Sequence, residues 1–159
     1  MKQCFMEEFL PVCALLPDAD RYTANPATDV YNLKYYQEIT FILFEGAGGA
    51  GTTTLTVEEC TAADGTGATA IAFKYRLLAN AGSADTWGAW TAATSSGYLT
   101  IAGANKGVAI RVTADMLSAG YPYVRVQTTE DDSTAVDAVI IAILGGARYP
   151  QNVNLSAVV

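Results

Sequence analysis

The chain contains no histidine, and only 16% of its 159 residues are Asp, Glu, Lys or Arg. An ordinary soluble domain has about a quarter of its residues charged. Because histidine is the most frequent general acid or base, its absence removes the usual centre of hydrolytic and metal-assisted chemistry. Segments 46–57 and 88–105 carry no charged side chain at all. We therefore expect a structural or binding subunit that uses its surfaces against other subunits, and not an enzyme.

Cysteine is scarce, and no CxxC pair is present. Cys4, Cys13 and Cys60 make an odd number, whereas a disulfide framework normally shows an even number in a shorter chain. We expect buried free thiols in a reducing compartment. No spacing of cysteine and carboxylate residues indicates a metal site, and no motif indicates a cofactor.

Positive charge is also in short supply. Sixteen acidic residues against nine basic ones give a net charge of −7, which opposes binding to nucleic acid. The apolar run 136–144 is far shorter than the roughly 20 residues that cross a bilayer, and Glu7 and Glu8 interrupt the apolar N-terminus, unlike a secretory signal. The prediction is a protein made in the cytoplasm that has neither nucleic-acid nor membrane partners.

What the chain does contain is a series of short alternating segments separated by Gly, Asn, Asp and Ser turns. About eight strands are predicted, at 39–45, 52–59, 70–78, 86–91, 98–102, 108–112, 123–127 and 136–144. No long helical pattern alternates with them, so the fold class is all-β: a jelly-roll-like antiparallel β-sandwich or barrel. Strands 39–45 and 136–144 are apolar on both faces and need cover from the N-terminal segment or a second subunit.

The predicted organisation is an N-terminal arm (1–38), a β-domain (39–147) and a C-terminal tail (148–159). Three prolines and weak periodicity make most of the arm extended, and its apolar side chains require it to dock on its own domain or on a neighbour. Residues 45–51 contain several glycines, but the β-branched run that follows favours a hairpin loop over a phosphate-binding loop. The acidic cluster at 130–132 is interpreted as a solvated turn.

Four segments resemble the small structural proteins of tailed bacteriophages, and most closely the head decoration, or cement, proteins. They are 30–58 (VYNLKYYQEITFILFEGAGGAGTTTLTVE), 70–76 (AIAFKYR), 120–126 (GYPYVRV) and 144–150 (LGGARYP). The resemblance covers about residues 29–150. It implies a β-rich oligomer that binds the outer capsid surface and braces the head. The implied partners are the major capsid protein and further copies of the chain, with a trimer preferred over a dimer.

The residues expected at protein interfaces are apolar or aromatic and lie in the arm, in the uncharged 88–105 region and its flank, and at the start of the tail: Phe5, Phe9, Leu10, Leu15, Leu16, Trp87, Trp90, Tyr98 and Tyr149. An alternative is a tail, fibre or receptor-binding module in which Trp87, Trp90 and Tyr98 stack on a host carbohydrate. An enzyme of unfamiliar type is the third hypothesis, and it requires a concave pocket with perturbed carboxylates.

Overall fold

A computed structural model describes residues 5–46, 51–79 and 85–148 of the chain. Its helical elements are α1 (Phe5–Glu8) and a 3-10 helix (Ala114–Met116). Its strands are β1 (Phe9–Asp18), β2 (Tyr31–Asn32), β3 (Tyr36–Glu45), β4 (Thr53–Cys60), β5 (Thr69–Ile71), β6 (Phe73–Ala79), β7 (Thr86–Trp87), β8 (Thr91–Ala93), β9 (Tyr98–Leu99), β10 (Lys106–Thr113), β11 (Tyr123–Glu130) and β12 (Ala138–Ala147).

The strands form two antiparallel sheets that pack face to face. The larger sheet has the order β1-β12-β3-β10-β6-β7, with β8 also paired to β6. The smaller sheet has the order β2-β11-β4-β5, with β9 also paired to β4. The predicted all-β sandwich is confirmed, and the two sheets of the described residues remain separate instead of closing into a barrel.

Strict alternation builds the core between the sheets. In β3, Ile39, Phe41 and Leu43 point inward, and Leu55 of β4 and Val126 of β11 meet them from the smaller sheet. Each of these side chains is at most 2% exposed. Because successive side chains in a strand point to opposite faces, these inward positions leave the intervening residues of every strand on the outside of the sandwich.

Two strands differ from the predicted pattern for physical reasons. The predicted strand 70–78 is divided at Ala72: β5 pairs with β4 in the smaller sheet, and β6 pairs with β10 in the larger one. Strands that change sheets in this way form the corners of sandwiches. The predicted strand 86–91 is likewise divided into β7 and the beginning of β8, both of which pair with β6.

The described part of the predicted arm adds a strand to its own domain. Strand β1 pairs along β12, from Phe9 opposite Gly145 to Asp18 opposite Ala138. The segment after β1 continues the smaller sheet, since the Thr28 backbone N–H donates to Val126 O at 2.9 Å and the Val126 N–H donates to Thr28 Oγ1 at 3.0 Å. Of the two placements left open for the arm, these residues take the one on their own domain.

Candidate docking face of the larger sheet

The outward face of the larger sheet is apolar on β12 and β3 and carries charged side chains on β10 and β6. Its middle row runs from Cys13 through Ile141, Ile42 and Ala109 to Arg76, because antiparallel partners share a face. We call this surface the apolar face and define it by the outward residues of β1, β12, β3, β10 and β6, of which Gly107 and Ala109 are buried beneath neighbouring side chains: Pro11, Cys13, Val139, Ile141, Ile143, Glu38, Thr40, Ile42, Phe44, Gly107, Ala109, Arg111, Lys74, Arg76 and Leu78.

The apolar face exists because β3 and β12 carry apolar residues at successive positions, not only at alternate ones. Phe44 is 37% exposed, and Ile42 and Ile141 are partly exposed beside it. The sequence-based expectation that both strands need cover on two faces therefore identifies a real feature. Strand β1 extends the edge of the sheet and does not lie across this face, so the described part of the arm does not supply the cover.

The outward face of the smaller sheet is polar on β4 and β11, and its exposed apolar residue is Leu99 of β9, which lies opposite Thr54 and is 53% exposed. There Arg125 Nε donates to Glu58 Oε2 at 2.7 Å, and threonines flank this ion pair. The outward residues of β4 and β11 are Thr54, Thr56, Glu58, Tyr123, Arg125, Gln127 and Thr129. An antiparallel sheet with one solvated face normally shows this polar pattern. The outward faces of the two sheets therefore differ in composition.

The edges of the larger sheet are poor sites for strand addition. Strand β1 contains Pro11 and Pro17, and its pairing with β12 is irregular between Cys13 and Leu15 and again between Leu15 and Asp18. At the other edge, β7 has two residues and β8 has three. Prolines, bulges and short edge strands all discourage edge-to-edge pairing. Both edges of the larger sheet are therefore disfavoured for the addition of a further strand.

An arginine held by two tryptophans lies at the β6 side of the apolar face. The guanidinium carbon of Arg76 is 5.2 Å from the Trp87 ring centroid and 4.8 Å from that of Trp90. Its Nε is buried and has no hydrogen-bond partner among the described residues. Cation–π contacts of this kind contribute about 0.5–2 kcal/mol each, whereas an unsatisfied buried donor costs about 1–3 kcal/mol.

The structure separates the predicted interface residues of the arm into two groups. Leu10 and Leu15 pack against the core of their own domain, opposite Leu144 and Ile140. Phe5 stacks on Phe9 with ring centroids 5.2 Å apart, and the Phe9 ring lies over Gly145. Among the arm residues predicted for contact, the most exposed large side chains are Phe5, at 53%, and Leu16, at 68%.

The aromatic residues predicted for contact are also divided. Trp87 and Trp90 meet at Arg76, and Trp90 is 41% exposed. Tyr98 lies elsewhere, since its ring packs at 4.1 Å from that of Tyr75 at the corner between the sheets. Burial raises the Tyr98 pKa to about 12. Tyr149 lies outside the described residues.

The sequence prediction of contact residues did not include Ile42, Ile141 and Arg76, which lie on the outward side of the larger sheet. The two-residue period of a strand was sufficient to name the outward residues of 39–45 and 136–144, because the alternate residues form the core. The Arg76 arrangement leaves no such signal. It depends on the pairing of β6 with β7 and β8, which brings together residues 11 and 14 positions apart in the sequence.

A buried carboxylate lies at the end of β3. Glu45 is 4% exposed, and its Oε1 accepts a hydrogen bond from Tyr22 Oη at 2.5 Å. Burial raises the Glu45 pKa above its usual value, against the opposing effects of the Tyr22 hydrogen bond, the Lys106 charge and a hydrogen bond with Thr100. Burial, and secondarily the Glu45 charge, raises the pKa of Tyr22 far above its usual range. This cluster joins the arm to the sheet.

Glu45 should make folding stability depend on pH. Because its pKa is higher in the folded than in the unfolded chain, its protonation favours folding, and its contribution is lost as pH rises through the folded pKa. The Glu45→Gln variant should lack this loss. Urea unfolding at a series of pH values from 4 upward measures the free energy of unfolding of both proteins. As pH rises, the value for the wild-type protein should fall relative to the value for the variant. Parallel pH profiles would contradict the raised pKa.

No group of three or more Cys, Asp and Glu side chains in residues 5–46, 51–79 and 85–148 is arranged to hold a metal ion. Within the same ranges, no helix has the length and hydropathy to cross a membrane. Cys60 is buried as expected for a free thiol, but Cys13 is exposed on the apolar face, which corrects the prediction for that residue.

Comparison with known proteins gives little beyond the fold. No family model matches the chain, and no curated protein matches it. Among solved structures, the SPBc2 prophage-derived protein YomS is similar with a TM-score of 0.48 and 9% sequence identity, over 86% of this chain and 92% of that chain. Similarity at this level carries no information about function.

Proposed function

We propose that the chain is a virion structural protein that binds the outer surface of a phage capsid and stabilises the head. The proposed partners are the major capsid protein and further copies of the chain, which is made in the host cytoplasm and then joins the particle. The chain acts in this role as a binding protein and not as a catalyst. The observation that carries the proposal is the contrast between the apolar face and the polar face of the opposite sheet.

The size of the apolar face suits a specific contact. Five strands at about 4.8 Å spacing and about eight residues at 3.3 Å give a surface about 24 Å by 26 Å. This is of the same order as the roughly 800 Å² that each partner contributes to a stable interface. The exposed apolar part of this surface is the smaller area around Ile42, Phe44 and Ile141. Exposed apolar patches on soluble proteins mark interaction sites. The resemblance of segments 30–58, 70–76, 120–126 and 144–150 to phage decoration proteins supports the choice of partner.

Stabilisation follows from mass action. A protein that binds the assembled lattice, and not free capsid subunits, shifts the equilibrium away from disassembly by RT ln(1 + [L]/Kd) for each site. At a concentration 100 times Kd this amounts to about 2.7 kcal/mol per site. Many such sites on one particle add their contributions, so that a modest affinity is sufficient to brace a head against internal pressure.

Particles with and without the chain provide the test. Heads produced from a phage genome that lacks the coding sequence should release their DNA at a lower temperature than wild-type heads, and added purified protein should restore the difference. DNA release can be followed with a dye that fluoresces on binding DNA. Unchanged release temperatures, together with no recovery of the protein on sedimented particles, would refute the proposal.

The exposed Trp90 favours one second candidate, a receptor-binding module for host carbohydrate. Indole rings on a protein surface stack on sugar rings, and Trp90 is 41% exposed beside Trp87. Under this hypothesis the wild-type protein binds glycans on an array and the Trp90→Ala variant does not. One face of each indole is turned to Arg76, which leaves less ring surface for a sugar, so we place the capsid role first.

A further inference from the structure

We propose that an open cleft beside Phe44, at one end of the apolar face, binds an arginine side chain of the capsid partner. The cleft has a volume of about 460 Å³ and lies where β1 and β3 end and β12 begins. Its lining includes Pro17, Asp18, Phe44, Gly46, Asp137 and Val139. The site rests on the proposed function, and it adds the chemistry of the group that the partner presents there.

A glycine leaves room in the cleft next to an aromatic wall. Phe44 lies directly opposite Val139, and the Phe44 side chain is 37% exposed. Gly46 follows two residues later on the same face, and its backbone N–H donates to the Asp137 backbone O at 2.8 Å. A Cβ at Gly46 would lie 3.5 Å from the Cβ of Asp137. The absence of a side chain at Gly46 therefore creates a depression between the Phe44 ring and the Asp137 carboxylate.

The cleft carries negative charge that the described residues do not balance. The Asp137 side chain is exposed, and its carboxylate forms no hydrogen bond or ion pair with any residue that the structure describes. Asp18 Oδ2 lies 3.4 Å from Arg21 Nη2, and the Asp18 side chain is 53% exposed. Lys106, which lies opposite Glu45, donates to backbone carbonyls of the preceding loop. The position is therefore open to an incoming cation.

The combination of an aromatic ring, an apolar wall and a carboxylate selects a guanidinium over an ammonium. A guanidinium is planar and weakly hydrated, stacks on aromatic rings and binds a carboxylate through two parallel hydrogen bonds. The aliphatic stem of an arginine lies along apolar surface, which Pro17 and Val139 supply here. A cation over the face of an aromatic ring gains about 0.5–2 kcal/mol. Because the cleft is open, it suits a side chain presented by a docked protein.

The cleft is continuous with the proposed contact surface. Phe44 and Val139 belong to the apolar face, so a partner that lies over Ile42 and Ile141 reaches the cleft from the same contact. The net charge of the chain is −7, which favours a partner with a basic surface. An arginine in the cleft would fix the position of the partner along β3 and β12, because charged pairs across an interface set its register.

Titration of the purified full chain with N-acetyl-arginine amide tests the chemistry of the cleft without a capsid. In amide NMR spectra the signals of Phe44, Asp137 and Val139 should shift together, with a dissociation constant of about 10 mM. The Asp137→Asn variant should bind this probe at least threefold more weakly. The matched probe is N-acetyl-citrulline amide, which has a neutral urea in place of the guanidinium and should bind at least threefold more weakly. Absence of these shifts, or equal binding of the two probes, would overturn the inference.

Co-sedimentation with capsids that lack the chain tests whether the partner uses the cleft. Asp137→Asn should weaken binding at least tenfold. The matched control is Asp64→Asn, which removes the same charge from an exposed aspartate in the turn between β4 and β5 and should change binding less than threefold. If Asp137→Asn binds like wild type while Ile42→Glu does not bind, this inference fails and the proposed function stands. Wild-type protein that binds no capsid would refute the proposed function, and with it the assignment of the partner.

Discussion

Replacing Ile42 with Glu should reduce binding to the capsid at least 100-fold while leaving the protein folded. Ile42 lies at the centre of the apolar face, between Ile141 and Ala109. In the free protein a carboxylate at this position remains in contact with water, so folding is little affected. In the bound state it becomes a buried charge without a partner, which costs about 3–5 kcal/mol. Each tenfold change in affinity corresponds to about 1.4 kcal/mol.

The matched control for this prediction is Thr56→Glu. Thr56 has the corresponding outward position on β4 of the smaller sheet, so the variant adds the same charge to the polar face. Co-sedimentation of each variant with capsids lacking the chain measures the two affinities. We expect Thr56→Glu to bind like wild type. Equal losses for the two variants, or full binding by Ile42→Glu, would contradict the assignment of the apolar face as the contact surface.

Replacing Phe41 with alanine should strongly lower the free energy of unfolding, in contrast to the Ile42 substitution, which should leave folding little affected. Its side chain is 1% exposed and packs edge-on against Tyr31 of the smaller sheet, with ring centroids 5.7 Å apart. Truncation to alanine leaves a cavity between the sheets, which costs about 3–5 kcal/mol for a buried phenylalanine. Because folded domains are stable by about 5–15 kcal/mol, Phe41→Ala removes a large share of the total. Denaturant unfolding measures the difference.

Phe44 provides the internal comparison because it lies on the same strand and points outward. It is 37% exposed, so Phe44→Ala should lower the free energy of unfolding by only about 1 kcal/mol, in the range of an ordinary substitution. The two variants remove the same side chain from opposite faces of β3. A similar loss of stability in both would mean that the inward and outward assignments of this strand are wrong.

Much of the fold could be predicted because alternation is strong in the central strands. Residues 108–112 alternate in polarity and residues 39–45 are a β-branched and aromatic run that is apolar on both faces, and both segments form strands of the larger sheet. Strand β1 was not predicted as a strand because Pro11 and Pro17 lie within it. Proline is tolerated there because β1 is at the edge of the sheet, where a backbone N–H is not needed on the open side.

The contact surface could be predicted only in part. Apolar residues on both faces of β3 and β12 correctly indicated that these strands are more apolar than the core requires. The sequence could not show which arm side chains remain exposed, because Leu10 and Leu15 become core residues only through their register with β12. The Arg76 arrangement depends on three strands meeting at one point. Such long-range juxtapositions are set by topology and leave no local pattern in the sequence.

A cryo-electron microscopy map of the intact particle tests the central claim most directly. The claim is that other molecules cover the outward side of β3 and β12. We predict that the map places Ile42 and Ile141 against the capsid lattice or a neighbouring copy, with the Thr56 side of the sandwich facing solvent. A map in which the chain is bound through its polar face, with Ile42 and Ile141 in contact with water, would contradict the account.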